Sequence, residues 1–189
     1  MDAVIALDTL VEDRYALGEP LAIGGGYAIT RAHETRLGRD VAIKRARTPD
    51  VGSAARLRLE ALMLARCAHS GVVSCLDLIE DHDGVPTLVL QLVEGANLAQ
   101  HAAHGPIDEV LALAWIDEVA SAVAHLHARG VAHGDLKPGN VMIDADGRAI
   151  LVDFDRAHDA SPDAVEADRR ALDALRRWLL ERSEVHAVR

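Results

Sequence analysis

The first half of the chain alternates short apolar runs with turn residues. Residues 15–44 predict three strands, joined by a glycine-rich turn at 24–26 and a second turn at 37–40. Short runs with β-branched members, bounded by Gly and Asp, are typical of strands. Two further strands are predicted at 72–78 and 87–93, around the turn 81–84. The pattern therefore predicts a five-stranded antiparallel sheet before residue 94.

A helix is predicted within this sheet region, over residues 53–69, with Ser53 as its N-terminal cap. Glu60 lies beside the apolar stripe of this helix, where its carboxylate would be partly desolvated. A desolvated charge needs a partner, so the pattern predicts a cation paired with Glu60. The stripe, spaced as one helical face requires, consists of Leu57, Ala61, Leu64 and Ala68.

The second half of the chain is mainly helical. Its longest helix is predicted over residues 106–129, with Asp108 near its start and Gly130 after its end. Two short strands follow at 141–143 and 149–152. The last helix has Leu172, Leu175 and Leu179 on one face. The whole pattern predicts an α+β protein with a sheet-rich first part and a helical second part.

Composition narrows the functional classes. Half of the 189 residues are hydrophobic and 26% are charged, as in ordinary globular proteins. A net charge of −10 without a Lys/Arg-rich run argues against a nucleic-acid partner. No apolar stretch reaches the roughly 18 residues of a membrane span, and the start of the chain lacks a basic secretory region. Cys67 and Cys75 are too few for a disulfide framework. We expect a cytoplasmic protein that binds neither nucleic acid nor membrane.

The choice of basic residues is distinctive. Of the 20 basic residues, 18 are arginine and only Lys44 and Lys137 are lysine. A lysine ammonium is a compact point charge, whereas the planar guanidinium of arginine is a different recognition device. We therefore expect both lysines to occupy sites that need a compact cation.

The segment 133–140, HGDLKPGN, contains several candidate catalytic side chains, and Asp153-Phe154-Asp155 follows it. Phosphoryl transfer needs a carboxylate to accept the proton of the acceptor hydroxyl, a cation to neutralise the moving group, and oxygen ligands for Mg²⁺. The residues that supply these groups, in that order, are Asp135, Lys137, and the pair Asn140 and Asp153.

This pattern resembles the protein kinase catalytic loop, H-R-D-L-x-x-x-N followed by D-F-G, with the offset from Asp135 to Asn140 matching without a gap. The resemblance covers about residues 12–180. It implies a two-lobed kinase-like fold, with a lead-in at 1–14, an N-lobe of five antiparallel strands and one helix at 15–93, and a truncated, mainly helical C-lobe at 94–189. It also implies ATP and Mg²⁺ as cofactors.

In the N-lobe, the resemblance makes Lys44 of Val41-Ala42-Ile43-Lys44 the clamp on the ATP phosphates, oriented by Glu60. The glycine-rich turn would cover the nucleotide. An alignment without gaps matches only Gly24 to a family glycine and puts Tyr27 at the last one, whereas a one-residue shift matches Gly25 and puts Ala28 there. The nucleotide-binding residues implied for this lobe are Ile23, Gly24, Gly25, Gly26, Ile29 and Ala42.

The segment 87–97 resembles the hinge between kinase lobes. Leu90 would lie behind the adenine, and Gln91 and Val93 would face it with backbone groups. Asn97 takes the position of a ribose-binding residue, and Met142 that of an apolar residue under the adenine, although Met142 is equally suited to the core.

Several kinase features are missing. Only twelve residues separate Asp155 from Asp168, which resembles the start of the helix that anchors the catalytic loop and is expected to bond back to it. There is no A-P-E motif, and Gly134 replaces the arginine that reads a phosphorylated activation loop. With the chain ending at Arg189, we expect a homodimer or a partner protein to cover the shortened C-lobe.

The resemblance implies transfer of the ATP γ-phosphate to a hydroxyl, with protein serine or threonine as the first choice of acceptor. A small-molecule kinase, or a minimal kinase or ATPase within a complex, is the alternative enzyme. A nucleotide-binding scaffold without turnover is the non-enzyme alternative. The complete set of Lys44, Glu60, Asp135, Asn140 and Asp153 favours an enzyme.

Overall fold

The structure, a computed structural model, describes residues 10–11, 14–24, 26–80 and 84–184. Its contacts divide the chain into two compact units. The first unit comprises Met1–Ala61 and Cys75–Leu92, and the second comprises Leu62–Ser74 and Val93–Arg189. The lobe boundaries expected from the sequence, 15–93 and 94–189, remain predictions.

The first unit contains one antiparallel six-stranded sheet, in the order β1-β2-β3-β4-β6-β5. The five predicted strands are present, and a two-residue edge strand is added to them. The strands are β1 (Leu10–Val11), β2 (Tyr15–Gly24), β3 (Tyr27–Glu34), β4 (Arg39–Ala46), β5 (Cys75–Glu80) and β6 (Pro86–Gln91).

One face of this sheet is covered by an apolar cluster that includes Tyr15, Val41, Ile43 and Val89. Alternate residues of a strand point to opposite faces, so Val41 and Ile43 enter the cluster while Ala42 and Lys44 point the other way. This alternation leaves the second face of β4 available for the lysine.

The helix of this region, α1, spans Val51–Ala65. It is therefore shorter than the predicted 53–69 at its C-terminus. Three of the four predicted stripe residues, Leu57, Ala61 and Leu64, are buried, whereas Ala68 lies beyond the helix and is exposed. Strand β5 also begins three residues later than predicted, because Val72 instead forms a parallel bridge with Leu151 in the second unit.

The second unit is built around α3 (Glu109–Ala128), which packs against α4 (Pro162–Leu180). A three-stranded sheet is formed by β7 (Gly95–Asn97), β10 (Val141–Asp144) and β11 (Ala149–Leu151). The remaining elements are α2 (Leu98–Ala103), a 3₁₀ turn at Pro138–Asn140, and the short pairs β9 (Val131–Ala132) with β12 (His158–Asp159) and β8 (Ile107–Asp108) with β13 (Ser183–Glu184).

Helix α3 is the core helix of the second unit. Asp108 caps it by accepting hydrogen bonds from the amides of Val110 and Leu111, as its sequence position predicts. By length and composition alone α3 is apolar enough to cross a membrane, and the expectation that the protein binds no membrane remains a prediction. Core helices of soluble proteins pass the same test. The face that packs within the unit comprises Ala112, Trp115, Ile116, Val119, Ala122, Val123 and Leu126.

Candidate active site

Lys44 and Glu60 form a buried ion pair in the first unit. Lys44 Nζ donates to Glu60 Oε1 at 2.9 Å and to Oε2 at 2.8 Å. The two side chains are only 3% and 1% exposed. Burying either charge alone would be costly, and each compensates the other. The pairing expected from the sequence is present, and its role toward ATP phosphates remains a prediction.

Helix α1 places Glu60, and a capping box fixes the start of that helix. Asp50 Oδ1 accepts from the Ser53 amide at 2.7 Å, and Ser53 Oγ accepts from the Asp50 amide at 3.0 Å. The hydrogen bond from the Ser53 backbone lowers the pKa of the Asp50 carboxyl. The prediction that Ser53 is the cap was wrong, because Asp50 lies three residues earlier and satisfies the amides of the first turn.

Strands β3 and β4 bring three of the predicted nucleotide-binding residues, Ile29, Ala42 and Lys44, to one sheet face. Ile29 pairs directly with Lys44, so their side chains share a face, and Ala42 joins them because it lies two residues from Lys44. Tyr27 lies two residues from Ile29 and shares this face. The register thus places Tyr27, and not Ala28, beside Lys44.

The glycine-rich turn connects β2 and β3 as a tight hairpin. Gly24 pairs with Tyr27, Gly26 adopts a positive φ of 87°, and Gly25 lies outside the described residues. Ile23, at the end of β2, is exposed. Their predicted contacts with the nucleotide remain predictions.

In the second unit, the predicted base, cation and amide are hydrogen-bonded to one another. Lys137 Nζ donates to Asp135 Oδ2 at 2.5 Å. Asn140 Nδ2 donates to the same Oδ2 at 3.0 Å and to the Asp135 carbonyl at 2.9 Å. The Asp135 side chain is 24% exposed and that of Lys137 is 52% exposed. The carboxylate is therefore both oriented and accessible to solvent.

Asp168 anchors the catalytic loop from α4. Its carboxylate accepts from the amides of His133 at 2.8 Å and Gly134 at 3.0 Å, which confirms the predicted bond back to the loop. His127 Nε2 also lies 2.9 Å from Asp168 Oδ2. No local pattern in the sequence marks His127 as a partner of Asp168, because their contact joins helices α3 and α4.

His133 is fully buried at the start of the loop. Burial lowers the pKa of its imidazole, although the nearby Asp168 carboxylate acts in the opposite direction. His133 Nδ1 accepts from the Asp135 amide at 3.3 Å, and its ring packs against Phe154 at a tilt of 53°, with 4.7 Å between centroids. His133 thus contacts both the catalytic loop and the Asp153-Phe154-Asp155 segment.

Asp153 follows β11 in a conformation that non-glycine residues seldom adopt. Its φ is +62°, the one positive φ of a non-glycine residue among the described positions. Such conformations occur most often at functional sites. The Val152 amide donates to the Asn140 carbonyl at 3.0 Å, so the residue before Asp153 is tied to Asn140. The two predicted metal ligands are thereby brought to the same end of the β10–β11 hairpin.

Comparison with known proteins agrees with this geometry. The family model for the protein kinase domain matches residues 15–171. This range contains the Lys44–Glu60 pair and the hydrogen-bonded group of Asp135, Lys137 and Asn140. This chain belongs to the protein kinase family.

Bacterial serine/threonine kinases are among the relatives. The chain is 35% identical to the serine/threonine-protein kinase pkn2 of Myxococcus xanthus, over 87% of this chain and 20% of the relative. It is 33% identical to PrkC of Bacillus subtilis, over 76% of this chain and 23% of the relative. It is 35% identical to the DNA damage-responsive kinase RqkA of Deinococcus radiodurans, over 77% and 22%. The chain thus spans about a fifth to a quarter of these kinases.

The residues predicted to form the hinge have structural partners of their own. Leu90 is buried in β6, which ends at Gln91, and Val93 follows two residues later. Asn97 caps α2, since its side chain accepts from the Gln100 amide and the Gln100 side chain accepts from the Asn97 amide. Asn97 also pairs with Met142 between β7 and β10. Their predicted contacts with adenine and ribose remain predictions.

Gly134, in the place of the family arginine, is required by the local backbone. Its φ is +75°, and a Cβ built there would lie 2.6 Å from the Arg156 carbonyl oxygen. A side chain at this position would displace the segment that follows Asp153. The missing arginine and the short Asp155–Asp168 connection are therefore parts of one arrangement.

Proposed function

We propose that this chain is an ATP- and Mg²⁺-dependent phosphotransferase that transfers the γ-phosphate to a serine or threonine hydroxyl of a protein. The observation that carries the proposal is the convergence of Lys137 and Asn140 on one oxygen of Asp135. Membership of the protein kinase family supports it.

Asp135 would act on the acceptor hydroxyl. Its Oδ2 is held by Lys137 and Asn140, while its Oδ1 makes no hydrogen bond within the described part of the chain. Oδ1 is thus the atom that would accept the proton of the hydroxyl. Lys137 would place its ammonium near the transferred phosphoryl group, where a positive charge stabilises the transition state.

The oxygen atoms of Asn140 and Asp153 fit a magnesium ion. The side-chain nitrogen of Asn140 donates its hydrogen bonds to Asp135. The side-chain oxygen of Asn140, Oδ1, would therefore be the atom that holds a cation. Within the described residues, no group of three or more His, Cys, Asp and Glu side chains could hold a metal. Mg²⁺ bound by one or two protein oxygens completes its shell with water and substrate phosphates. When bound, it would neutralise negative charge on those phosphates.

Lys44 would bind the phosphates of ATP. Its ammonium is held by both oxygens of Glu60, which restricts a flexible side chain to one position. This restriction favours binding, because the nucleotide meets a positive charge that is already in place.

A small-molecule hydroxyl is the second candidate acceptor. It is favoured by the twelve-residue Asp155–Asp168 connection, which is held by backbone pairing: β12 lies against β9, and the Ala160 amide donates to the Gly130 carbonyl. A connection of this length supplies little surface for a protein acceptor.

Transfer of labelled γ-phosphate tests the proposal. The purified chain with Mg²⁺ should label itself, a general protein acceptor such as casein, or a member of a metabolite panel. Asp135→Asn is the matched control and should bind ATP without transferring phosphate. Labelling of metabolites alone would select the second candidate. ATP binding without transfer to any acceptor by the parent chain would contradict the proposal and indicate a nucleotide-binding scaffold.

A further inference from the structure

Tyr27 contacts the Lys44 ammonium in the first unit. The Lys44 Nζ lies 5.1 Å from the centroid of the Tyr27 ring, and Tyr27 is 5% exposed. A cation within about 6 Å of an aromatic face is attracted by the ring quadrupole, most strongly when the pair is desolvated. The aromatic ring and the Glu60 carboxylate therefore hold the same ammonium.

The strand register explains why this tyrosine reaches Lys44. Ile29 lies directly opposite Lys44, and Tyr27 lies directly opposite Ala46. Tyr27 is thus the diagonal neighbour of Lys44 on the same sheet face. Diagonal neighbours are about 7–8 Å apart, within reach of an aromatic ring and a long side chain.

We propose that Tyr27 is a positioning residue for Lys44, taking over part of the role of the glycine-rich turn in binding nucleotide phosphates. This inference rests on the proposed function. The lysine side chain has four methylene groups joined by rotatable bonds, and fixing it in one conformation costs rotamer entropy. Tyr27 and Glu60 together keep the ammonium in one place before the nucleotide arrives.

Tyr27 also lines a polar cavity, so its side chain lies next to both this cavity and the Lys44 ammonium. The cavity has a volume of about 450 Å³, and Tyr27 lines it together with Gly26, Arg47, Asp50 and Arg56 among others. A smaller side chain at position 27 would join this cavity to the Lys44 ammonium. Solvent would then reach a lysine that is 3% exposed in the parent chain.

Steady-state kinetics with Mg·ATP test the positioning role. Tyr27→Leu should raise KM for ATP about tenfold and leave kcat within about twofold, because a less ordered Lys44 weakens ground-state and transition-state binding alike. Tyr27→Phe keeps the ring and should stay within about twofold of the parent. A lower KM in Tyr27→Leu would overturn the inference, since the ring would then obstruct the nucleotide.

The other tyrosine supplies a matched control. The chain has two tyrosines, and Tyr15 is also buried in the sheet, with Arg14 4.9 Å from its ring. Tyr15→Leu should lower the thermal midpoint and leave KM for ATP unchanged in the folded protein. Equal increases in KM for Tyr15→Leu and Tyr27→Leu would show a general packing effect and overturn the inference.

Lysine acylation gives a readout that needs no catalysis. The two lysines can be followed separately by peptide mass spectrometry, with the exposed Lys137 as an internal reference. Tyr27→Leu should speed acylation of Lys44 at least about fivefold relative to Lys137, and Tyr27→Phe should not. Unchanged acylation in Tyr27→Leu contradicts the inference even if transfer activity is intact. A parent chain without transfer activity contradicts the proposed function instead.

Discussion

The two lysines of the chain form two very different pairs with carboxylates. In the first unit, Lys44 and Glu60 are 3% and 1% exposed and are joined by two hydrogen bonds. In the second unit, Lys137 and Asp135 are 52% and 24% exposed and are joined by one. The buried pair is dehydrated and fixed in position, whereas the groups of the exposed pair remain accessible to solvent.

This difference assigns different physical work to each pair. In a buried pair each charge compensates the other. Removal of either partner leaves an unpaired charge in the interior and lowers the stability of the fold. A surface pair contributes little to stability, since water screens it. Substitution in the buried pair should therefore lower stability, and substitution in the exposed pair should lower turnover with little effect on stability.

Asp135→Asn should have the largest effect. Turnover should fall about 10²–10⁴-fold, the usual contribution of a general base. Asparagine preserves the size of the side chain, so the fold and ATP affinity should be retained. Steady-state kinetics and circular dichroism check the two parts of this expectation. Undiminished turnover in the folded variant would sink the assignment of Asp135.

Lys44→Met and Lys137→Met compare the pairs directly by urea denaturation. Lys44→Met should cost about 3–5 kcal/mol, because Glu60 is left as an unpaired buried charge. Lys137→Met should cost less than about 1 kcal/mol.

The double variant Lys44→Met/Glu60→Leu is the control for the buried pair. It should recover most of the lost stability, since both charges are replaced by apolar groups of similar volume. Equal destabilisation by Lys44→Met and Lys137→Met would remove the distinction between the two pairs.

Acid should weaken the second unit through His133. Burial depresses the native-state pKa of His133 below 6.5, so the unfolded chain binds a proton that the native state does not. Its contribution to stability is present above pH 6.5 and is lost as the pH falls from there toward the native pKa. Trp115 and Trp178 both lie in the second unit, and their fluorescence reports its unfolding.

His133→Asn keeps an acceptor for the Asp135 amide and removes the titrating group, so its stability should depend less on pH in this range. His158→Asn, at an exposed position, is the control and should behave as the parent. Identical pH dependence of the parent and His133→Asn would refute the role of His133.

Of these experiments, phosphatase treatment should change the transfer activity least, and we expect it to leave that activity unchanged. The segment between Asp153 and Asp168 has one hydroxyl, that of Ser161, and its Oγ accepts from the Ala164 amide at the start of α4. Gly134 offers no guanidinium to a phosphate. Activity lost after phosphatase treatment and regained with ATP would show that the second unit depends on modification after all.

Much of this arrangement could be predicted from sequence, because its chemistry follows local motifs. The strand pattern predicted the sheet. The helical position of Glu60 predicted a cationic partner, and the resemblance to protein kinases identified that partner as Lys44. The resemblance of Asp168 to the start of an anchoring helix led to its contact with the catalytic loop.

The errors and omissions have physical causes. Asp50 and Ser53 both have side chains that can cap a helix, and propensity alone did not decide between them. The contacts of His127 with Asp168 and of Tyr27 with Lys44 depend on helix packing and strand register. These are set by tertiary structure and leave no periodic signal in the sequence.

The bonded connection from Asp153 to Asp168 makes the second unit a suitable host for an engineered switch. The Ala160–Ser161 junction lies between the last pairing of β12 and the cap of α4. The entropic cost of closing a loop grows only with the logarithm of the loop length, by about 0.6 kcal/mol for each doubling of the number of residues. A phosphorylatable segment inserted at this junction would meet a small entropic penalty and leave Asp168 in place. Regulation would then be added to a unit whose internal hydrogen bonds are already formed without the inserted segment.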